Sequence, residues 1–193
     1  MKEILIIIFA TIFVENFVLS KFLGVCSFLG VSKDLSNSVG MSGAVIFVMT
    51  VASAVTWLVY TYILAPLDMM FLQTITFILV IAALVQLVEI VMKKTLPRLY
   101  KALGIYLPLI TTNCAVLAVS ILNIQRDYTF IKSIVFGFSA GVSYMVAILI
   151  FAGVRERLEL CDVPECFKGF PISLVAAAFV SLAFMGFSGL FAG

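Results

Sequence analysis

Four cysteines and a complete lack of histidine frame the chemistry open to this chain of 193 residues. Cys26 and Cys114 each lie in an apolar stretch broken by small or polar residues. Lys21 and Gly24 precede the first; Pro108, Thr111, Thr112 and Asn113 precede the second. Such interruptions predict broken helices near both cysteines. Thr112 or Asn113 can cap a half-helix beginning near Cys114, aiming free backbone N–H groups and a positive helix end at the sulfur. That environment favours thiolate, the metal-binding form of cysteine. An iron–sulfur cluster ordinarily takes four cysteine ligands, so two from this chain require two more from a second subunit. On spacing alone a plainer reading stays open, in which both are small buried residues in helix packing. Cys161 and Cys166 sit instead in a charged stretch. A reducing cytoplasm argues against their disulfide, and no second pair or histidine completes a zinc site, so they read as incidental thiols.

Glu15, Gln86 and Glu89 fall inside apolar blocks, where an ionisable group facing lipid costs several kcal/mol. They should face a bundle interior or water, with Glu15 and Glu89 as candidates for an ion path. The competing reading places Glu15 at an interface and pairs Glu89 with Lys93 one turn on. Gly137-Phe-Ser139-Ala-Gly141 has the form of a nucleophile elbow, but without histidine no base activates the serine. Gly137 and Gly141 read better as a small-xxx-small face for close helix contact. The missing imidazole likewise excludes histidine-held haem and zinc and a histidine proton relay. No phosphate-cradling glycine motif occurs, and the dispersed basic residues rule out a nucleic-acid footprint.

The elements that position these residues follow from composition. The chain is 64% hydrophobic and 11% charged, against about 45–50% and about 25% in soluble proteins. A globule of this size cannot hide so much apolar surface, whereas a bilayer solvates it, so an all-α integral membrane protein of one domain is expected. Six blocks between charges are long enough to span. They run near Ile4–Ser20, Val39–Leu64, Phe71–Met92, Ile105–Leu122, Ser133–Gly153 and Pro171–Phe191. The first follows Lys2 but reads as mature structure rather than as a secretory signal. Basic residues divide nine to three between the two sides, with Lys21, Lys33, Lys93, Lys94, Arg98, Lys101, Arg155, Arg157 and Lys168 opposite Lys2, Arg126 and Lys132. Positive loops stay in the cytoplasm, so both termini are expected outside and the polar stretch Val154–Phe170 is expected as a cytoplasmic loop. Six helices divide into two sets of three, and an odd set forces a duplicated copy upside down. The approximate repeats are 1–93 and 94–193. Cys26-Ser-Phe-Leu-Gly-Val-Ser32 and Cys114-Ala-Val-Leu-Ala-Val-Ser120 agree at four of seven positions, with the first and fourth helices broken at those cysteines.

Longer stretches carry a family resemblance. Glu15-Asn-Phe-Val-Leu, Lys21-Phe-Leu-Gly-Val-Cys26, Leu103-Gly-Ile-Tyr-Leu-Pro-Leu-Ile-Thr-Thr-Asn-Cys114-Ala-Val-Leu, Arg155-Glu-Arg, Asp162-Val-Pro164 and Leu182-Ala-Phe-Met-Gly-Phe-Ser-Gly189 resemble the A-type membrane subunits of the Rnf complex. That complex is an ion-translocating ferredoxin:NAD oxidoreductase. The E-type subunit of the sodium-pumping NADH:quinone reductase is similar too, but Thr-Thr-Asn-Cys and the short loop near Asp68 favour Rnf. The resemblance implies an electron-carrying subunit of the inner membrane, without a complete active site of its own, that couples electron flow to Na+ or H+ movement. It implies a homologous partner of opposite orientation, the E-type subunit of Rnf, beside the D, G, B and C subunits. It also implies a [2Fe-2S] cluster between the pair, with Cys26 and Cys114 as this chain's iron ligands. Flavins and further iron–sulfur clusters belong to the other subunits, and nothing carries over to Cys161 and Cys166. Rival classes are a redox-free secondary ion transporter, discriminated by bound iron, and a structural membrane anchor.

Overall fold

The computed structural model describes residues 2–14, 16–32, 35–67, 70–95, 107–161 and 164–188. All regular structure among them is helical. In chain order the helices are α1 (Lys2–Phe9, widening into a π-helical turn Ala10–Val14), α2 (Val25–Val31), α3 (Leu35–Val59, followed by a π-helical turn Tyr60–Leu64), α4 (Gln73–Thr95), α5 (Leu107–Thr111), α6 (Cys114–Gln125), α7 (Phe130–Glu159) and α8 (Phe170–Ser188). Three stretches are long and apolar enough to cross a bilayer: Ser38–Leu64, Gln73–Val91 and Phe130–Leu158. They coincide with the second, third and fifth expected blocks.

Two expectations need correction. The first block does not run on as helix to Ser20. The Asn16 side chain accepts the Val18 and Leu19 N–H groups at 3.2 and 3.3 Å, taking donors that a continuing helix would need. The chain then turns through residues 17–24 before α2 begins. The second correction concerns the expected loop Val154–Phe170, because α7 continues through Arg155, Glu156 and Arg157 to Glu159. Arg and Glu are good helix formers, so their charge ends the membrane-embedded part rather than the helix. At 1.5 Å per residue α7 is about 45 Å long against about 30 Å of hydrocarbon, and it must project beyond the bilayer.

The central contact is α3 on α7. Met41, Val45, Val48, Met49 and Ala52 meet Phe136, Ala140, Tyr144, Ala147, Ile148 and Phe151, at helical spacing on each partner. Gly137 and Gly141 form the close face expected of them. A Cβ at Gly141 would lie 2.7 Å from the Ile46 Cα, and one at Gly137 would lie 3.0 Å from the Met49 carbonyl oxygen. Without a hydrophobic drive between helices in lipid, such backbone approach is a main source of association. Phe77, Ile81 and Val85 anchor α4 on the same core.

Around this apolar core the surface is apolar too, and small hydroxyls are buried beside it. Ser38, Ser42, Ser53, Thr56, Ser120, Ser139 and Ser143 are buried, while Ile6, Phe47, Tyr62, Phe71, Leu79, Leu87 and Phe179 are exposed. Several buried hydroxyls donate to the carbonyl one turn back, as Ser42 does to Ser38 (2.6 Å) and Thr56 to Ala52 (2.6 Å).

Candidate cysteine site

The site is built around two helix beginnings. Cys114 is the first residue of α6, whose N-cap, Asn113, accepts the Ala115 N–H at 3.0 Å. Asn is favoured there because its short carbonyl satisfies an N–H that has no partner inside the helix. Cys26 is the second residue of α2. The helix preceding α6 ends at Thr111, so the chain is interrupted at Thr112–Asn113 as the residue types predict.

These two regions, distant in sequence, are joined directly. The Gly24 N–H donates to Cys114 Sγ at 2.9 Å across 90 residues of sequence. Gly24 has φ +83, and a Cβ there would lie 3.0 Å from Asn113 Oδ1 and 3.3 Å from the Ala115 Cβ. Only glycine permits both this left-handed conformation and this approach. Ser27 ties the pair together beneath. Its hydroxyl donates to the Gly24 carbonyl at 2.9 Å and accepts from Tyr144 Oη at 3.0 Å and Asn113 Nδ2 at 3.4 Å. Ser27, Asn113 and Tyr144 are all buried, so the network is shielded from bulk solvent.

Both thiols nevertheless stay exposed on the isolated chain. Neither is buried by packing within this chain. An exposed pair beside a rigid buried network is open to groups from another subunit. The Gly24 N–H and the positive end of α6 complement the negative charge that a metal-bound thiolate carries. The donor set of this chain therefore fits one half of a four-thiolate iron–sulfur site.

The loop before α2 is also pinned. Asn16 Nδ2 donates to the Ser143 carbonyl at 3.3 Å, and the Ser181 hydroxyl donates to the Leu19 carbonyl at 2.5 Å. At the far end of α2, Arg155 Nη1 donates to the Leu29 carbonyl and to Ser32 Oγ, both at 3.0 Å. Residue types alone do not show Gly24, Ser27, Tyr144 or Arg155 as parts of the site. The one local signal is Gly24, two residues before Cys26.

The other candidates stand apart. Glu15 lies outside the described residues. Glu89 is half-buried on α4, an element that contributes none of the hydrogen bonds just described, and Gln86 is exposed. Cys161 is exposed just past α7, its thiol donating to the Arg157 carbonyl at 3.4 Å. Cys166 falls in a short helical turn, Glu165–Phe167.

Comparison with known proteins covers the same residues. A family model described as "Rnf-Nqr subunit, membrane protein" matches residues 4–191. The chain is 53% identical over all 193 residues to the A subunit of the ion-translocating oxidoreductase complex of Syntrophotalea carbinolica, covering the whole of both chains. It is 57% identical over 187 residues, 97% of each chain, to the A subunit of the Na(+)-translocating ferredoxin:NAD(+) oxidoreductase complex of Acetobacterium woodii. A third relative, the A subunit of the ion-translocating oxidoreductase complex of Serratia proteamaculans, is 54% identical over 190 residues, 98% of each. Matched from near its first residue to near its last, the chain belongs to the Rnf-Nqr family of membrane-protein subunits.

Proposed function

We propose that this chain is the electron-relaying membrane subunit of an ion-translocating ferredoxin:NAD+ oxidoreductase, in which Cys26 and Cys114 supply two thiolates to a [2Fe-2S] cluster shared with a homologous subunit of inverted topology. The observation that carries this reading is the joining of two helix beginnings, each bearing an exposed cysteine, through the Gly24 N–H and Cys114 Sγ. The names of the relatives supply the reaction class. Such a cluster, held by Cys26, Cys114 and two thiolates of the other subunit, would supply one-electron storage for the relay.

The residues of this chain do the rest. Gly24 directs its N–H at sulfur, Asn113 fixes the start of α6, and Ser27 with Tyr144 holds α2 against α7. Of these, the Gly24 N–H and the N-terminal end of α6 offset the cost of negative charge at Cys114 in low-dielectric surroundings, and the others fix their positions. In the same reading the chain crosses an inner membrane six times as two inverted three-helix repeats, with both termini outside. Arg155 and Cys161 then face the cytoplasm and Asp127 the outer side. In support, Asp127 precedes one end of α7 and Cys161 follows the other.

The test is iron and acid-labile sulfide content, with an electron paramagnetic resonance (EPR) spectrum after reduction, on the anaerobically purified complex. Cys26→Ala and Cys114→Ala should each remove one two-iron signal from a complex that still assembles. An unchanged spectrum in both variants overturns the ligand assignment and returns the chain to a redox-free transporter or anchor.

A further inference from the structure

A second polar site lies at the opposite end of α6 from Cys114. Asn123 is 1% exposed, yet neither its Nδ2 nor its Oδ1 has a hydrogen-bond partner among the described residues. Burying an unpaired amide costs on the order of 1–3 kcal/mol, so a group that completes it is to be expected. Asn123 lines a cavity of about 170 Å³ together with Trp57, Tyr60, Thr61, Asp127 and Tyr128. Liquid water takes about 30 Å³ per molecule, so an ion with part of its hydration shell fits.

The lining specifies the ligand. Among the described residues its only formal charge is the Asp127 carboxylate, and the remaining donors are neutral oxygens of Asn123, Tyr60 and Thr61. The Trp57 indole N–H is already spent on the Tyr128 carbonyl at 2.8 Å. Arg126, the adjacent cation, directs its guanidinium at Tyr128 Oη (3.4 Å) and over the Phe136 ring (5.5 Å). One carboxylate among hard neutral oxygens suits a monovalent cation better than an anion, and better than a divalent ion that needs more negative charge. Asn123 lies in the inner wall, and a rotation of its unpaired side chain would bring Oδ1 to the ion and Nδ2 to a water carried with it. Two backbone departures present these groups. Tyr60 and Thr61 open the π-helical turn after α3, and Asp127 takes φ +48 in the turn after α6.

We infer that Asn123, Asp127, Tyr60 and Thr61 form a binding site for a partly hydrated monovalent cation of the Na+ class, at the end of the bundle opposite Arg155. The inference rests on the reading of this chain as part of a cation-translocating complex, and it makes this cavity the point where the ion meets the outer solution.

The test uses inverted membrane vesicles carrying the intact complex, with Na+ as the probe. The lumen of such vesicles is the outer solution, so they are loaded with 22Na+, and its efflux together with the NADH-driven ferredoxin reduction that the efflux powers is followed against lumenal Na+ concentration for the unsubstituted complex, Asp127→Asn and Asn123→Leu. Half-saturation should rise by about tenfold in each variant, a loss of one decade in affinity, while the cluster EPR signal and assembly are retained. Asp127 is exposed in a turn, so its substitution reads the site even if Asn123→Leu does not fold. Unchanged half-saturation in Asp127→Asn overturns the site, as does an unsubstituted complex whose reverse turnover and efflux show no dependence on lumenal Na+. The electron-relay reading fails separately, through an EPR signal that survives the cysteine substitutions.

Discussion

Asn113 serves two helices at once, accepting the Ala115 N–H that begins α6 and donating to Ser27 on α2. Its replacement by alanine forfeits a cap worth about 1 kcal/mol and a buried hydrogen bond worth about as much again. Asn113→Ala should therefore lower the unfolding midpoint of the detergent-solubilised complex and broaden or shift the two-iron EPR signal. Asn113→Ser keeps a capping oxygen but is too short to donate to Ser27, so it should fall between. The cap itself is legible in the sequence, since Asn before an apolar run is a helix start. The Gly24 N–H to Cys114 bond is not, because no local signal links residues 90 positions apart. Asn123 and Asp127 escape notice for a related reason. An amide near the end of an apolar run and an acid in an outer turn are ordinary residues until the π-helical turn of another helix faces them.

At the scale of elements, the stability of the bundle concentrates where α7 lies against α3. A side chain at Gly141 meets the Ile46 backbone, which cannot rotate aside as a side-chain tip can. Overpacking of this kind costs about 1–3 kcal/mol or more, so Gly141→Leu should lower the thermal inactivation midpoint and the yield of assembled complex. Gly153, on the same helix, has nothing within 4 Å of where a Cβ would stand. Gly153→Ala should be neutral or gain up to about 1 kcal/mol from helix propensity, which separates packing from any general intolerance of change in α7. The Gly137/Gly141 spacing already points to this contact. Hydropathy underestimates the length of α7, because charge marks the end of the hydrocarbon and not of the helix. It overestimates the first block, because apolar composition alone does not register Asn16 capturing backbone donors beyond it.

Taken whole, the described residues bury many small hydroxyls within an apolar core and leave many large apolar side chains exposed on the outer face of the bundle. Hydropathy makes the membrane setting plain, since it depends on composition, but the pairing of helices depends on shape and is only partly readable. Sidedness is open to a direct check through Cys161, an exposed thiol beyond the end of α7. A membrane-impermeant maleimide should label it in inverted vesicles and leave it unlabelled in right-side-out ones, with Cys161→Ser removing the signal attributable to this position. Labelling from the outside alone would reverse the proposed orientation.

The seven-residue α2 carries Cys26 but takes its position from a neighbour. Tyr144 holds its first turn through Ser27, Phe151 stacks on Phe28 at 4.4 Å, and Arg155 clasps Leu29 and Ser32, so all three fastenings come from one face of α7. A backbone severed after Ser32, with the two fragments expressed together, should still deliver Cys26 to its place beside Cys114. The thiol of Cys26 is thereby placed from outside its own segment, and a change in the tilt of α7 would carry it along.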